Sequence, residues 1–227
     1  MCLILLAWRT QPRHSLVVAA NRDEYHARSA ARAGFWADAP AILGGRDLEA
    51  GGTWLGVSRA GRFAAVTNYR GGRDANAAES RGALVTRFLA ADVAAAVYVG
   101  ELCTRLGSYS GFNLVASDGR ELWWISNRDG GSRRLEPGIY GLGNFLLDTP
   151  EVAEPKARFA QALHSGPAIE PLFAVLEAAR LVAPQYGTRC STVLLSDAGS
   201  GIRFSERAFD AAGAAAETVR YELKPAA

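Results

Sequence analysis

Leu3-Ile4-Leu5-Leu6-Ala7-Trp8, a turn at Thr10-Gln11-Pro12-Arg13, then Leu16-Val17-Val18-Ala19-Ala20 followed at once by Asn21-Arg22-Asp23-Glu24: the reading of this opening decides the fold. Neither apolar run alternates with polar residues, and each is too short for a globular helix. The pair predicts a β-hairpin buried on both faces. Its strands run antiparallel, so the end of the second lies beside the start of the first. That brings Arg22 and Asp23 to Cys2.

Working outward, residues 53–58 and 62–68 read as two strands joined at Arg59-Ala60-Gly61. From Glu79 to Leu106 the apolar residues recur at helical spacing. This predicts two helices broken near Ala91-Asp92, with Asp92 as N-cap. Strands return at 112–117 and 121–126 around Asp118-Gly119, with a shorter one at 139–142. Residues 155–164 and 169–181 predict a second helix pair, and 192–195 with 202–206 a last hairpin. The Ala-rich stretch 211–216 and residues 224–227 read as loosely held, with a tail drawn at 215–227. Hairpins separated by helix pairs do not fit a parallel sheet, which needs strict β–α alternation. They fit antiparallel sheets covered by helices, an α+β fold in a single domain over 1–227.

Composition sets the bounds. Twenty-five Lys plus Arg against 23 Asp plus Glu leave a formal charge of +2 over 227 residues, which argues against nucleic acid as a partner. Three scattered cysteines, Cys2, Cys103 and Cys190, form neither a disulfide framework nor a metal motif and suit a reducing compartment. The apolar start lacks a basic leader and Arg9 ends it, so the expectation is a cytoplasmic protein with no signal peptide and no membrane span. His14, His26 and His164 are dispersed, and no phosphate-loop pattern occurs, so no metal and no required cofactor are expected. The sequence sets no oligomeric state.

Cys2 carries the sharpest chemistry. If the initiator Met1 is removed, the chain begins with a thiol nucleophile and an α-amine whose reference pKa, about 7.7–8.0, suits a general base. On position alone a small buried hydrophobe at a strand start is the commoner reading. Arg22 can lower a neighbouring thiol's pKa and Asp23 can hold an ammonium group; a solvated turn explains the same residues as well. Asn68 and Asn144, each followed by an aromatic residue, have amides able to donate to an oxyanion. Singly, each reads more readily as a turn residue. Asn21, Arg70 (followed by Gly71-Gly72), Arg189 and Trp54 are the candidate substrate contacts. The two arginines suit an anionic group, and Trp54 suits an apolar wall.

Taken together, Met1-Cys2, Asn21-Arg22-Asp23-Glu24, Gly51-Gly52-Thr53-Trp54-Leu55-Gly56, Val66-Thr67-Asn68-Tyr69-Arg70, Gly141-Leu142-Gly143-Asn144 and Tyr186-Gly187-Thr188-Arg189 resemble the NRDE, or transport and Golgi organisation, family. The resemblance implies an N-terminal-nucleophile hydrolase-like fold, a four-layer αββα sandwich. The start of the chain is also similar to cysteine amidohydrolases of that class, which pair an N-terminal Cys with an R-x-x-D element and oxyanion Asn residues. Asp23 matches the acid, whereas Ala20 stands where that pattern has Arg, and Arg22 is adjacent instead. The implied activity is hydrolysis or acyl transfer at an amide or acyl bond, with Cys2, Arg22, Asp23, Asn68 and Asn144 as machinery. Family links to haem mobilisation and to lipid and acyl-CoA metabolism imply the alternative, a non-catalytic carrier with haem or an acyl ligand. Arg22, Arg70 and Arg189 would then line its rim.

Overall fold

A computed structural model describes residues 2–71, 74, 77–197 and 201–224. Met1, Gly72 and the last three residues, named above, lie outside them. In chain order the strands of the first half are β1 (Leu3–Trp8), β2 (His14–Tyr25), β3 (Ala30–Phe35), β4 (Ile42–Asp47), β5 (Leu55–Ser58) and β6 (Phe63–Asn68). Helices α1 (Arg81–Ala90) and α2 (Ala95–Cys103) follow, then β7 (Phe112–Ser117), β8 (Leu122–Ser126), β9 (Gly131–Arg134) and β10 (Gly138–Leu142). Helices α3 (Ala153–Leu163) and α4 (Ile169–Glu177) lead to β11 (Tyr186–Asp197), β12 (Gly201–Phe209) and β13 (Ala215–Leu223).

All the strand pairs are antiparallel, and they form two sheets. One runs β3 to β9 in sequence order, a meander. The other, ordered β10-β1-β2-β11-β12-β13, is assembled from both ends of the chain. Alternation along β1 explains the layering. Leu3, Leu5 and Ala7 pack against Phe159, Leu172 and Leu176 of α3 and α4. Ile4, Leu6 and Trp8 face the other way, into a core shared with Leu43, Val57 and Phe63 of the meander. The far face of the meander carries Leu84, Val85, Phe88 and Leu89 of α1, and these four contribute about 1.5–3 kcal/mol each by burial. The result is four layers, helix–sheet–sheet–helix, as expected for the fold class.

Three local expectations are corrected. The polar segment 21–24 continues β2 instead of following it, because β11 pairs along it from Tyr186↔Tyr25 to Asp197↔His14. Residues 215–223 pair with β12 as β13 and are no loose tail. The N-cap residue of α2 is Ala94, and the acceptor for the Ala95 N–H, which has no partner within the helix, is Asp118 Oδ2 at 2.9 Å, reached across the fold instead of from Asp92.

Candidate active site

The pairing Leu3↔Asn21 sets Cys2 beside Arg22 and Asp23, the juxtaposition expected from the hairpin. The contact is through the main chain. Cys2 Sγ donates to Asp23 O at 3.3 Å and accepts from Asp23 N at 3.4 Å. Asp23 O also accepts from Tyr186 Oη at 3.0 Å, and Asp23 Oδ1 accepts from Thr188 Oγ1 at 2.7 Å. Tyr186 and Thr188 were not singled out above, although both stand in the quoted Tyr-Gly-Thr-Arg motif. The residue Cys2 is partly exposed, yet its thiol is buried. Burial first, and the Asp23 carboxylate second, push it up to about 11, against a smaller opposing effect of Arg22. At that value roughly one thiol in ten thousand is ionised at pH 7.

Arg22 extends from the inter-sheet face of β2. Its guanidinium stacks 4.1 Å above the Trp54 ring, and its Nη2 lies 3.8 Å from Asp47 Oδ2. Asp47 is itself held by Arg28 Nε at 2.7 Å and by the N–H groups of Glu49 and Ala50. Burial alone would raise its pKa, but those bonds outweigh it and hold the carboxyl below the usual range. Trp54 lies flat because Gly45 is beneath it, where any Cβ would collide with the ring. Gly44 likewise admits Leu55 O, at 2.6 Å from where its Cβ would be.

The remaining candidates are arranged differently from expectation. Asn21 turns toward the helices, donating to Leu176 O at 2.9 Å and accepting from Ser191 Oγ at 2.6 Å, so its amide is a packing group. Arg189 sits at a bulge in β11, and its Nη1 donates to the carbonyls of Tyr25, His26 and Arg28. It pins that turn and does not reach toward a substrate from there. Arg70 lies 5.7 Å over Phe145. Thr67 faces the inter-sheet space beside Cys2; by strand alternation the following Asn68, exposed at the strand end, points away from it. Asn144 Nδ2 donates to Asn68 O at 2.7 Å, and Arg70 N donates to Asn144 O at the same distance. The two asparagines meet each other, therefore, with Asn144's donor already engaged. Asn113, which sequence reasoning missed, is fully buried. It donates to Phe145 O at 2.7 Å and to Thr67 Oγ1 at 3.3 Å, tying that loop to the site.

Behind Arg22 lies a buried pair that sequence reasoning also missed. Glu206 on β12 accepts from Ala33 N at 2.8 Å and from Thr192 Oγ1 at 3.3 Å, and the Cys190 thiol bonds to it. Burial raises both Glu206 and Cys190. Cys2 and Cys190 flank Arg22 from strands two places apart, about 10 Å between backbones, beyond the reach of a disulfide. A void of about 20 Å³, room for one water, lies among Cys2, Arg22, Trp54, Thr67 and Thr192. Among the described residues no cluster of three His, Cys, Asp or Glu side chains offers a metal site.

A family model described as Transport and Golgi organisation 2 matches residues 1–185. The chain belongs to that family. It is 35% identical to a Transport and Golgi organization protein 2 homolog of Bos taurus and 34% identical to that of Homo sapiens. Each match covers 91% of this chain and 92% of the relative. Among solved structures, an N-acylethanolamine-hydrolyzing acid amidase orthologue from Caenorhabditis elegans superposes with a TM-score of 0.57 at 10% identity. That match covers 86% of this chain and 92% of the other. At such identity the likeness bears on architecture, and this transport and Golgi organisation family member has an N-terminal-nucleophile hydrolase-like fold. Among the described residues no helix is long and apolar enough to cross a membrane.

Proposed function

We propose that this family member is a cysteine hydrolase or acyltransferase of the N-terminal-nucleophile class, acting on an amide or related acyl bond. The observation that carries the reading is the seating of Cys2 Sγ between the N–H and C=O of Asp23, with the thiol kept neutral. A neutral thiol reacts only if a base takes its proton as it attacks. The α-amine freed by removal of Met1 is that base, and the Asp23 carboxylate, braced by Thr188, holds it. Sγ adds to the carbonyl carbon, and its proton passes through the amine to the leaving nitrogen. The C–N bond breaks and a thioester remains, which water or another acceptor then cleaves. The Thr67 hydroxyl and, once released from Asn68 O, the Asn144 amide are the oxyanion donors this arrangement offers. Arg22 screens the developing thiolate. The small void admits an acyl group only if Trp54 or the segment carrying Asn144 gives way. Three unpaired cysteines suit a reducing, cytoplasmic setting, and no cofactor enters the reaction.

The test uses full-length protein processed by its own host, given an N-acylethanolamine and an activated acyl ester. Intact mass is expected to show a chain starting at Cys2 and an acyl increment on it, both increment and turnover vanishing in Cys2→Ala. Unchanged turnover in Cys2→Ala, or Met1 retained throughout, overturns the mechanism, since an amide nitrogen cannot accept the thiol proton.

A second reading is a non-catalytic carrier of an acyl chain or of haem, favoured by a thiol that is protonated and unreactive as it stands. Haem does not fit beside Cys2: it needs an axial ligand and a wide apolar pocket, and the void there holds a single water. An acyl ligand would be bound stoichiometrically, and that binding would survive Cys2→Ala.

A further inference from the structure

The inter-sheet layer has a second opening. β1 carries the chain about 20 Å from Cys2 to Arg9. There the β1–β2 turn, the 59–61 turn and the ends of β12 and β13 surround a cleft of about 680 Å³, within the range of small-molecule sites. Two guanidiniums border it, each fixed from one edge and one face. Arg9 donates Nη2 to Arg120 O at 2.7 Å and stacks 4.7 Å from the Trp8 ring. Arg59 donates Nε to Pro40 O at 3.1 Å and stacks 3.9 Å over Phe35. Among the described residues, the other nitrogens of both guanidiniums have no hydrogen-bond partner. Held this way, they lose little freedom on meeting an oxyanion, and a guanidinium fork matches one. Lys224 adds a third cation.

Two carboxylates, Asp118 and Asp197, also line the cleft, against the three cations Arg9, Arg59 and Lys224. Asp118 accepts from Ala95, Arg120 and Glu121 N–H groups, bonds that outweigh its burial and keep it ionised below the usual range. Asp197 Oδ1 lies 2.5 Å from Nδ1 of the buried His14 and 3.8 Å from Arg203 Nη2. The charge left facing the cleft is positive. Arg9 also has φ of +50°, which an L side chain adopts at a steric cost; Asp148 is the other such non-glycine among the described residues. Backbone strain at the residue that presents a cation into a cleft is what a binding turn retains.

We propose that this cleft binds an organic oxyanion, a phosphate ester or a polycarboxylate. Its charged group lies between Arg9 and Arg59, and its body rests on Pro12, Ile202 and Leu223. The site is separate from Cys2 and stands whether or not the hydrolase reading does. The test is calorimetric titration of the full chain at low salt with two probes, pyrophosphate and citrate. Saturable 1:1 binding of at least one is expected, weakened tenfold or more in Arg9→Gly/Arg59→Gln and unchanged in Cys2→Ala. Tighter pyrophosphate binding assigns a phosphate ester, and tighter citrate binding a polycarboxylate. Arg9→Gly removes the guanidinium while relieving the positive φ, and an unchanged melting curve verifies the fold. No saturable binding of either probe, or undiminished binding in the double variant, overturns the proposal.

Discussion

The two ends of the inter-sheet layer are built on opposite principles. At the Cys2 end, Cys2 is seated on Asp23 and Arg22 lies by Asp47, with Glu206 buried behind, and the space left holds about one water. At the hairpin end about 680 Å³ is open, bordered by arginines anchored on carbonyls and rings. The buried Cys2 cluster and room for a ligand are therefore about 20 Å apart. The two ends also treat carboxylates differently. Burial raises Glu206 at the first, whereas three backbone N–H bonds hold Asp118 low at the second. Open volume and buried, strongly interacting charge thus sit at opposite ends of one layer.

The contrast breaks most visibly through Asp23. Asp23→Asn retains the main-chain cradle of Cys2 but removes the charge proposed to hold the amine. Turnover is expected to fall 100-fold or more, with oxyanion affinity at the hairpin end unchanged; a fall in both would merge the two sites. Next is Asn113→Ala, which frees Phe145 O and Thr67 Oγ1 in a buried setting. A loss of about 1–3 kcal/mol in urea unfolding is expected, together with faster amide exchange in the segment carrying Asn144. Asp118→Asn should cost about 1 kcal/mol at neutral pH through the weakened cap of α2. Because Asp118 is lowered in the fold, its contribution is present above its unfolded pKa. It disappears as pH falls through the folded value, so wild type and variant should converge in acid. Glu206→Gln gives the smallest change in acid and the opposite slope. Glu206 is raised in the fold, so wild type loses stability as pH rises from the unfolded toward the folded value. The Gln variant should gain on wild type over that interval, measured by melting temperature across pH; parallel curves would remove the contrast between the ends.

Much of this was legible in the sequence, and the failures have a common cause. Leu3–Trp8 was readable as a strand buried on both sides because every residue in it is apolar. Residues 21–24 were not readable as strand, since four polar residues in a row resemble a turn. What keeps them extended is partners 155 to 170 residues away: Leu176 O, Thr188 Oγ1 and Ser191 Oγ. The same holds for Ile42–Asp47, where Gly44-Gly45 looks like a loop until Leu55 O and the Trp54 ring are seen lying against it. The nearness of Cys2 to Asp23 followed from antiparallel geometry alone. That the thiol would meet the main chain of Asp23, that Asn144 would spend its donor on Asn68 O, and that Glu206 would be buried all depend on packing between elements remote in sequence.

The strand order of the Cys2 sheet also fixes a sequence of events in time. The meander's strands adjoin in the order in which they are made, so each finds its neighbour soon after it appears. β1 and β2 are made first, but their outer neighbours β10 and β11 arrive much later, β11 about 160 residues after β2 ends. At cellular translation rates that is roughly ten to thirty seconds. For about the first two thirds of that interval, until β10 and then α3 and α4 are made, a hairpin apolar on both faces has neither a flanking strand nor its helices. Packing against the nascent meander is the early shelter the fold itself offers, and heterologous expression is expected to aggregate more as translation outpaces it.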